Sequence, residues 1–168
     1  MAARQGQEGV KPKRKKRTPV QRLEKEASVL MGKWVNGSAV CTDAVRTEHR
    51  CTRVYQNSHI VRRSRGKFIR FSPLNGTCLC SGLHTKYDQA PTLMFLYLQD
   101  RIDPERIRRL HTMDAWAHAH CKTHFTHEDL LTEYVLWYKA REDHWIDWHV
   151  SGEWKSYTDP IERMMEEE

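Results

Sequence analysis

The stretch from Asp103 to His149 sets the hardest constraint on how this chain can fold. It holds seven of the ten histidines (His111, His118, His120, His124, His127, His144 and His149), four of the six tryptophans (Trp116, Trp137, Trp145 and Trp148) and Cys121. Large indoles demand a core that can bury them. Imidazoles at this density serve as metal ligands, proton carriers or solvated surface groups. A chain of 168 residues has room for one compact domain of about 140 residues beside a flexible start.

Charge divides the chain in two. Residues 1–70 carry 18 Lys and Arg against 5 Asp and Glu, and residues 71–168 carry 10 against 17, so a basic half of +13 precedes an acidic half of −7. A basic half of this size is the footprint expected for contact with phosphate backbones, where each neutralised phosphate releases a counterion. The acidic half is expected to face proteins or its own basic half. No apolar run approaches the length that crosses a bilayer, the longest being Leu93 to Leu98. The start lacks the apolar core of a secretory signal. With an odd count of cysteines (Cys41, Cys51, Cys78, Cys80 and Cys121), a reducing compartment and free or metal-binding thiols are expected rather than a disulfide framework.

Residues 1–18 have almost no large apolar side chains and include Lys11, Pro12, Lys13, Arg14, Lys15, Lys16 and Arg17 in succession. Such a stretch cannot bury enough surface to offset its ordering entropy, and it is expected to be a disordered basic arm. The cluster resembles a nuclear localisation signal, which implies a nuclear import receptor as a partner; a solubilising or RNA-touching tail is the compatible alternative. Thr18, Pro19 and Gln21 then mark a helix start, with Leu23, Ala27, Leu30 and Met31 as its apolar stripe to about Gly32. Asn36-Gly37 within Trp34 to Val40 predicts a hairpin. Short strands are expected over Cys51–Tyr55, His59–Arg63 and Lys67–Phe71, with a turn at Ser64-Arg65-Gly66 and another at Ser72 to Gly76.

Downstream the pattern is helical. Residues 90–99 fit a helix or a buried strand, with a helix from Pro91 favoured; Asp103-Pro104 caps another, and Thr126 to Asp129 opens a third with an apolar face of Leu130, Leu131, Tyr134, Val135, Trp137 and Tyr138. Trp145 to Val150 reads as a strand or covering loop and Ser151-Gly152 as a turn. Asp159-Pro160 caps an acidic tail helix over 159–168. The fold class is therefore α+β, with a disordered basic N-terminal arm, a small antiparallel β region and a helical Trp/His-rich C-terminal half; residues 19–158 form a single compact domain.

Three uses of the special residues are expected. Arg53, Arg62, Arg63, Arg65, Lys67 and Arg70, together with Lys11, Lys13, Arg14, Lys15, Lys16 and Arg17, are the candidate nucleic-acid contacts, DNA or RNA, with Tyr55, Phe68 and Phe71 available to stack on bases. The alternative is a solvated edge strand made positive against aggregation. Arg106, Arg108 and Arg109 could extend the same surface. Cys78 and Cys80, one residue apart and followed by His84, combine with His120, Cys121 and His124 into a candidate structural zinc site if 113–125 continues as helix, since residues three and four apart share a face. The alternative is ordinary packing of thiols and imidazoles.

The third use is catalytic. Residues 116–121 also alternate like a strand, with His118 and His120 on one face, and Tyr134 and Tyr138 stand on the helix that follows. This resembles, locally, the pattern of single-strand endonucleases in which a His-hydrophobe-His strand holds a divalent metal and a helical tyrosine attacks the phosphate. A cysteine hydrolase built on Cys121 lacks a glycine-rich oxyanion turn. The leading expectation is a small nuclear nucleic-acid-binding regulator, in character like a virus-encoded accessory factor. An adaptor that binds a host or cellular protein through its Trp-rich C-terminal half is the alternative, its tryptophans being core or interface anchors.

Overall fold

The computed structural model describes residues 16–37, 41, 51–141 and 153–168. Helix α1 spans Pro19–Asn36, strand β1 Tyr55–His59, strand β2 Gly76–Cys80, helix α2 Ser81–Gln89, α3 Pro91–Arg101, α4 Pro104–His120, α5 His127–Lys139 and α6 Pro160–Glu166. Short 3-10 turns cover Ile69–Phe71, Pro73–Asn75 and Glu153–Ser156. The fold is α+β as expected, helices around a two-stranded antiparallel sheet. No helix among the described residues is long and apolar enough to cross a membrane. The expected arm at Lys11, Lys13, Arg14 and Lys15, the strand or loop at Trp145 to Val150 and the turn at Ser151-Gly152 lie outside the described residues.

Local chemistry explains the helix starts. Thr18 and Gln21 exchange the reciprocal bonds of a capping box at 3.2 and 3.1 Å, and Thr126 and Asp129 do the same for α5. Asp103 and Asp159 accept from the backbone of α4 and α6, each followed by a proline whose missing N–H costs nothing there. The expected hairpin from Trp34 is corrected: Trp34, Val35 and Asn36 continue α1, and Gly37 keeps right-handed helical angles. Trp34 and Val35 extend the stripe Ala27, Leu30 and Met31 by one more turn, and burying them overrides a local turn signal. Trp34 packs edge-on against Trp137 of α5 at 5.5 Å and Tyr138 at 6.1 Å.

The β region is also shifted. The paired strands are Tyr55–His59 and Gly76–Cys80, in the register Tyr55 to Cys80 and His59 to Gly76; the expected strands 51–55, 59–63 and 67–71 do not form as drawn. Two causes are visible. Phe68 and Phe71 lie three apart, the period of a 3-10 turn, so that turn buries both together with Ile69 where a strand would have separated the aromatics. Beyond β1, the Asn75 amide takes the place of a strand neighbour: its Oδ1 accepts from Val61 N at 2.6 Å and its Nδ2 donates to the carbonyls of Val61 and Ile69 at 3.1 Å.

Residues 71–80 are buried without exception, and their polar groups are met by neighbouring elements. Arg106 of α4, only 2% exposed, donates to Leu74 O at 2.7 Å and Gly76 O at 2.5 Å. Tyr138 donates to Phe71 O at 2.9 Å, and Ser72 Oγ donates to Asp159 Oδ2 at 2.6 Å. Gly76 is required by close approach, because a Cβ there would sit 2.4 Å from Val35 Cγ2. Helix α6 joins this core through buried Pro160 and Ile161 and through the ion pair of Arg109 with Glu162 at 2.6 Å.

Replacing Arg106 by Met leaves two buried carbonyls without their donor and is expected to cost about 3 kcal/mol in urea denaturation. Arg106→Lys, which keeps the charge but not the two-pronged donation, is expected to recover less than half of that loss.

Candidate nucleic-acid interface and metal centres

The basic residues gather at one end of the sheet. The segment 60–70 leaves β1 with Arg62, Arg63, Arg65 and Lys67 exposed. Arg70 turns back toward α1, 4.0 Å from Glu24, and lines an open groove with Arg17, Gln21, Glu24, Lys25, Ser28 and Val29, three cations around one carboxylate. Lys16 and Arg17 are exposed at the start of α1. Two basic stretches far apart in sequence thereby form one surface. Burial first, and then the nearby positive charge of Arg70, lowers the Arg63 guanidinium. Cations held close enough to repel one another favour an anion between them.

Several expected contributors stand elsewhere. Arg53, with a positive φ of 58°, lies before β1, at the opposite end of the strand from Arg62. Phe68 and Phe71 are in the core, 4% and 2% exposed, so they do not offer rings to bases; Lys67 and Arg70 lie over those rings at 5.2 and 4.9 Å. Arg106 is buried, Arg108 pairs with Glu105, and Arg109 pairs with Glu162. These three do not extend the basic surface.

Among the described residues, two groups could hold a metal ion, and they are different from the set expected. Cys80 stands with Cys41 and Cys51, the three sulfurs within 4.8 Å of one another. Strand β2 builds this group because Cys78 and Cys80, two apart, share the sheet face that Gly76 presses against Val35 and Met31 of α1. The expected thiol-bearing turn is thus a buried strand. Cys80 N donates to Cys41 Sγ at 3.3 Å. Burial, then Cys41, Cys51 and Cys80, push the Cys78 thiol up to about 12. Sequence spacing leaves Cys41 and Cys51 outside the candidate ligand set, because nothing local marks a chain segment that meets a strand residue almost 40 positions later.

The second group joins His120 and His124 to Glu168. Helix α4 does continue past Met113, but it stops at His120; Cys121 to Phe125 forms a tight loop in which Lys122 takes φ 81°. The N–H groups of Thr123 and His124 both reach His120 O at 3.1 Å. The two imidazoles therefore converge, 5.0 Å between centroids, by a reversal of the chain rather than along a helix face. Cys121 belongs to neither group, and the expected joint site of Cys78, Cys80, His120, Cys121 and His124 is replaced by two separate ones.

The endonuclease-like arrangement does not form. Residues 116–120 are helix, and Tyr134 and Tyr138 are 0% and 1% exposed. Their hydroxyls are engaged by Asp159 Oδ1 at 3.2 Å and Phe71 O at 2.9 Å, and burial raises both phenols well above their ordinary value. Trp137 and Trp154 are core residues; Trp145, Trp148, His144 and His149 lie outside the described residues. In comparisons with known proteins, no family model, no curated protein and no solved structure matches this chain.

His59 reports on the basic end of the sheet. It donates through Nε2 to Arg70 O at 3.1 Å in the neutral form, and burial, then Arg63, hold it down at about 4 from the ordinary 6.5. The folded protein takes up this proton later than the unfolded chain, so stability present above pH 6.5 is lost as the pH falls toward 4. Over that window the wild type is expected to lose at most about 3 kcal/mol more than His59→Gln in denaturant melts. Equal losses would place the acid sensitivity elsewhere.

Proposed function

We propose that this protein is a small nuclear nucleic-acid-binding regulator that grips phosphates through the face made by Lys16, Arg17, Lys25 and the 62–70 segment. The observation that carries the reading is the groove in which Arg17, Lys25 and Arg70 outnumber Glu24, with Arg63 close enough to Arg70 to feel its charge and Arg62, Arg65 and Lys67 exposed on the same segment. Flexible cations beside a fixed helix suit a backbone whose charges repeat at regular spacing. Because Phe68 and Phe71 are buried and Tyr55 stands at the opposite end of β1 from Arg62, recognition rests on phosphates and not on stacked bases, and DNA and RNA are both substrates for such contact. The Lys11 to Arg17 cluster serves import into the nucleus.

Zinc holds the fold at Cys41, Cys51 and Cys80. Thiolates around a zinc ion lie about 3.8 Å apart for Zn–S bonds of about 2.3 Å, and these sulfurs are mutually within 4.8 Å. Thiols buried together ionise only if a cation balances them. A metal here ties residues 41 and 51 to β2, the partner of the strand from which the basic segment leaves.

Fluorescence anisotropy with a labelled oligonucleotide tests the interface. Binding is expected to weaken about a hundredfold between about 50 and about 200 mM salt, and Arg62→Ala, Arg63→Ala, Arg65→Ala and Lys67→Ala combined are expected to flatten that dependence. Salt-independent binding, or none by the full chain, would sink the reading. For the thiol centre, elemental analysis is expected to show one zinc fewer per chain in Cys80→Ser, with a lower melting temperature; unchanged zinc and stability would return these thiols to ordinary packing.

A further inference from the structure

The geometry points to a second divalent-metal site, distinct from the thiols and open to solvent, formed by His120 and His124 with Glu168 as the third ligand. Its donor atoms are already selected by hydrogen bonds on the far side of each ring. His120 Nδ1 lies 2.8 Å from Trp116 O, a carbonyl that only accepts, so Nδ1 carries the proton and Nε2 of the neutral ring carries a lone pair. Thr123 Oγ1 gives its single proton to His120 O at 2.9 Å. It therefore accepts from His124 Nδ1 at 3.0 Å, and His124 Nε2 is left with its lone pair as well.

Both lone pairs meet the same carboxylate oxygen. Glu168 Oε1 is 3.3 Å from His120 Nε2 and 3.4 Å from His124 Nε2. Neutral rings in these tautomers present lone pair to lone pair, an arrangement that a cation between them relieves. The spacing fits: ligands about 2.05 Å from a tetrahedral zinc lie about 3.3 Å apart. Glu168 is oriented in its turn, since Trp116 Nε1 donates to Oε2 at 3.0 Å and leaves Oε1 to the imidazoles. Trp116 also stacks on His120 at 4.5 Å between centroids. Each ligand thus has the outer partner that fixes ligand orientation in metal sites.

Two imidazoles and one carboxylate suit zinc or cobalt, and three protein ligands leave a fourth position for water or an anionic oxygen. The ion fastens the end of α6 to the end of α4. His124 is exposed and Glu168 lies beyond the last turn of α6, so the site fills from solvent without opening the core.

Cobalt titration of the metal-stripped 168-residue chain, followed by absorbance and by calorimetry, separates the two centres. Thiolate ligands give an intense sulfur-to-metal charge-transfer band, whereas a nitrogen and oxygen set gives weak visible bands alone. Two equivalents are expected in the wild type, one at the thiols with the charge-transfer band and one without it, and the second is weakened at least about tenfold in His124→Ala and Glu168→Gln. Thr123→Val keeps all three ligands and removes the bond that sets the His124 tautomer; it too is expected to lose about tenfold in affinity. Failure of the thiol centre would erase the charge-transfer band and leave these bands in place. Affinity unchanged in Glu168→Gln and Thr123→Val, or no cobalt bound outside the thiols, would overturn the site and leave imidazolium–carboxylate pairs at this corner.

Discussion

Ten consecutive buried residues, Phe71 to Cys80, impose the constraint on which the rest of the structure depends. A backbone taken out of water must find partners for its N–H and C=O groups, and a two-stranded sheet supplies them on one edge only. Here the deficit is met from several directions: Arg106 of α4 reaches Leu74 O and Gly76 O, Tyr138 of α5 reaches Phe71 O, and Asp159 at the start of α6 takes the Ser72 hydroxyl. Thr77 and Tyr97 of α3 share a further bond at 3.0 Å. These bonds tie α3, α4, α5 and the start of α6 to the buried segment alongside the apolar core.

The candidate sites follow from that placement. Arg106 and Arg109 fix α4 against the buried strand and against α6, so the far ends of the two helices meet where His120 and Glu168 stand. On the other side of the sheet, the face of Gly76, Cys78 and Cys80 is pressed toward α1, and Cys41 and Cys51, from the connection between α1 and β1, come down on the same thiols. The basic segment is what remains between β1 and β2. Its apolar residues Phe68, Ile69 and Phe71 turn inward, which leaves the intervening cations on the surface.

Helix starts were legible because their signals are complete within four residues: a capping side chain, a proline and a returning acid or amide. Thr18, Asp103, Thr126 and Asp159 all cap as read, and Leu130, Leu131, Tyr134, Val135, Trp137 and Tyr138 all lie buried on α5. The strands were not legible in the same way. An Asn-Gly pair marks a hairpin only if no larger surface claims the residues before it, and Trp34 and Val35 are claimed by α5 and the sheet. Nor does a strand pattern reveal that the Asn75 side chain will stand in for a neighbouring backbone.

The metal candidates show the division most clearly. Sequence by itself placed His120 and His124 four residues apart, near enough to share an ion if the chain turns between them, and marked Cys80 as a thiol outside any disulfide framework. It also determined the charge split and the α+β class. Only the tertiary structure decided which partners each residue has: Cys80 with Cys41 and Cys51, His120 and His124 with Glu168, and Arg17 with Arg70. The reason is physical. Caps, turns and short spacings are decided by bonds within one turn of chain, whereas ligand sets joining residues about 40 positions apart are decided by how helices pack on a buried strand, and packing is a property of the whole surface.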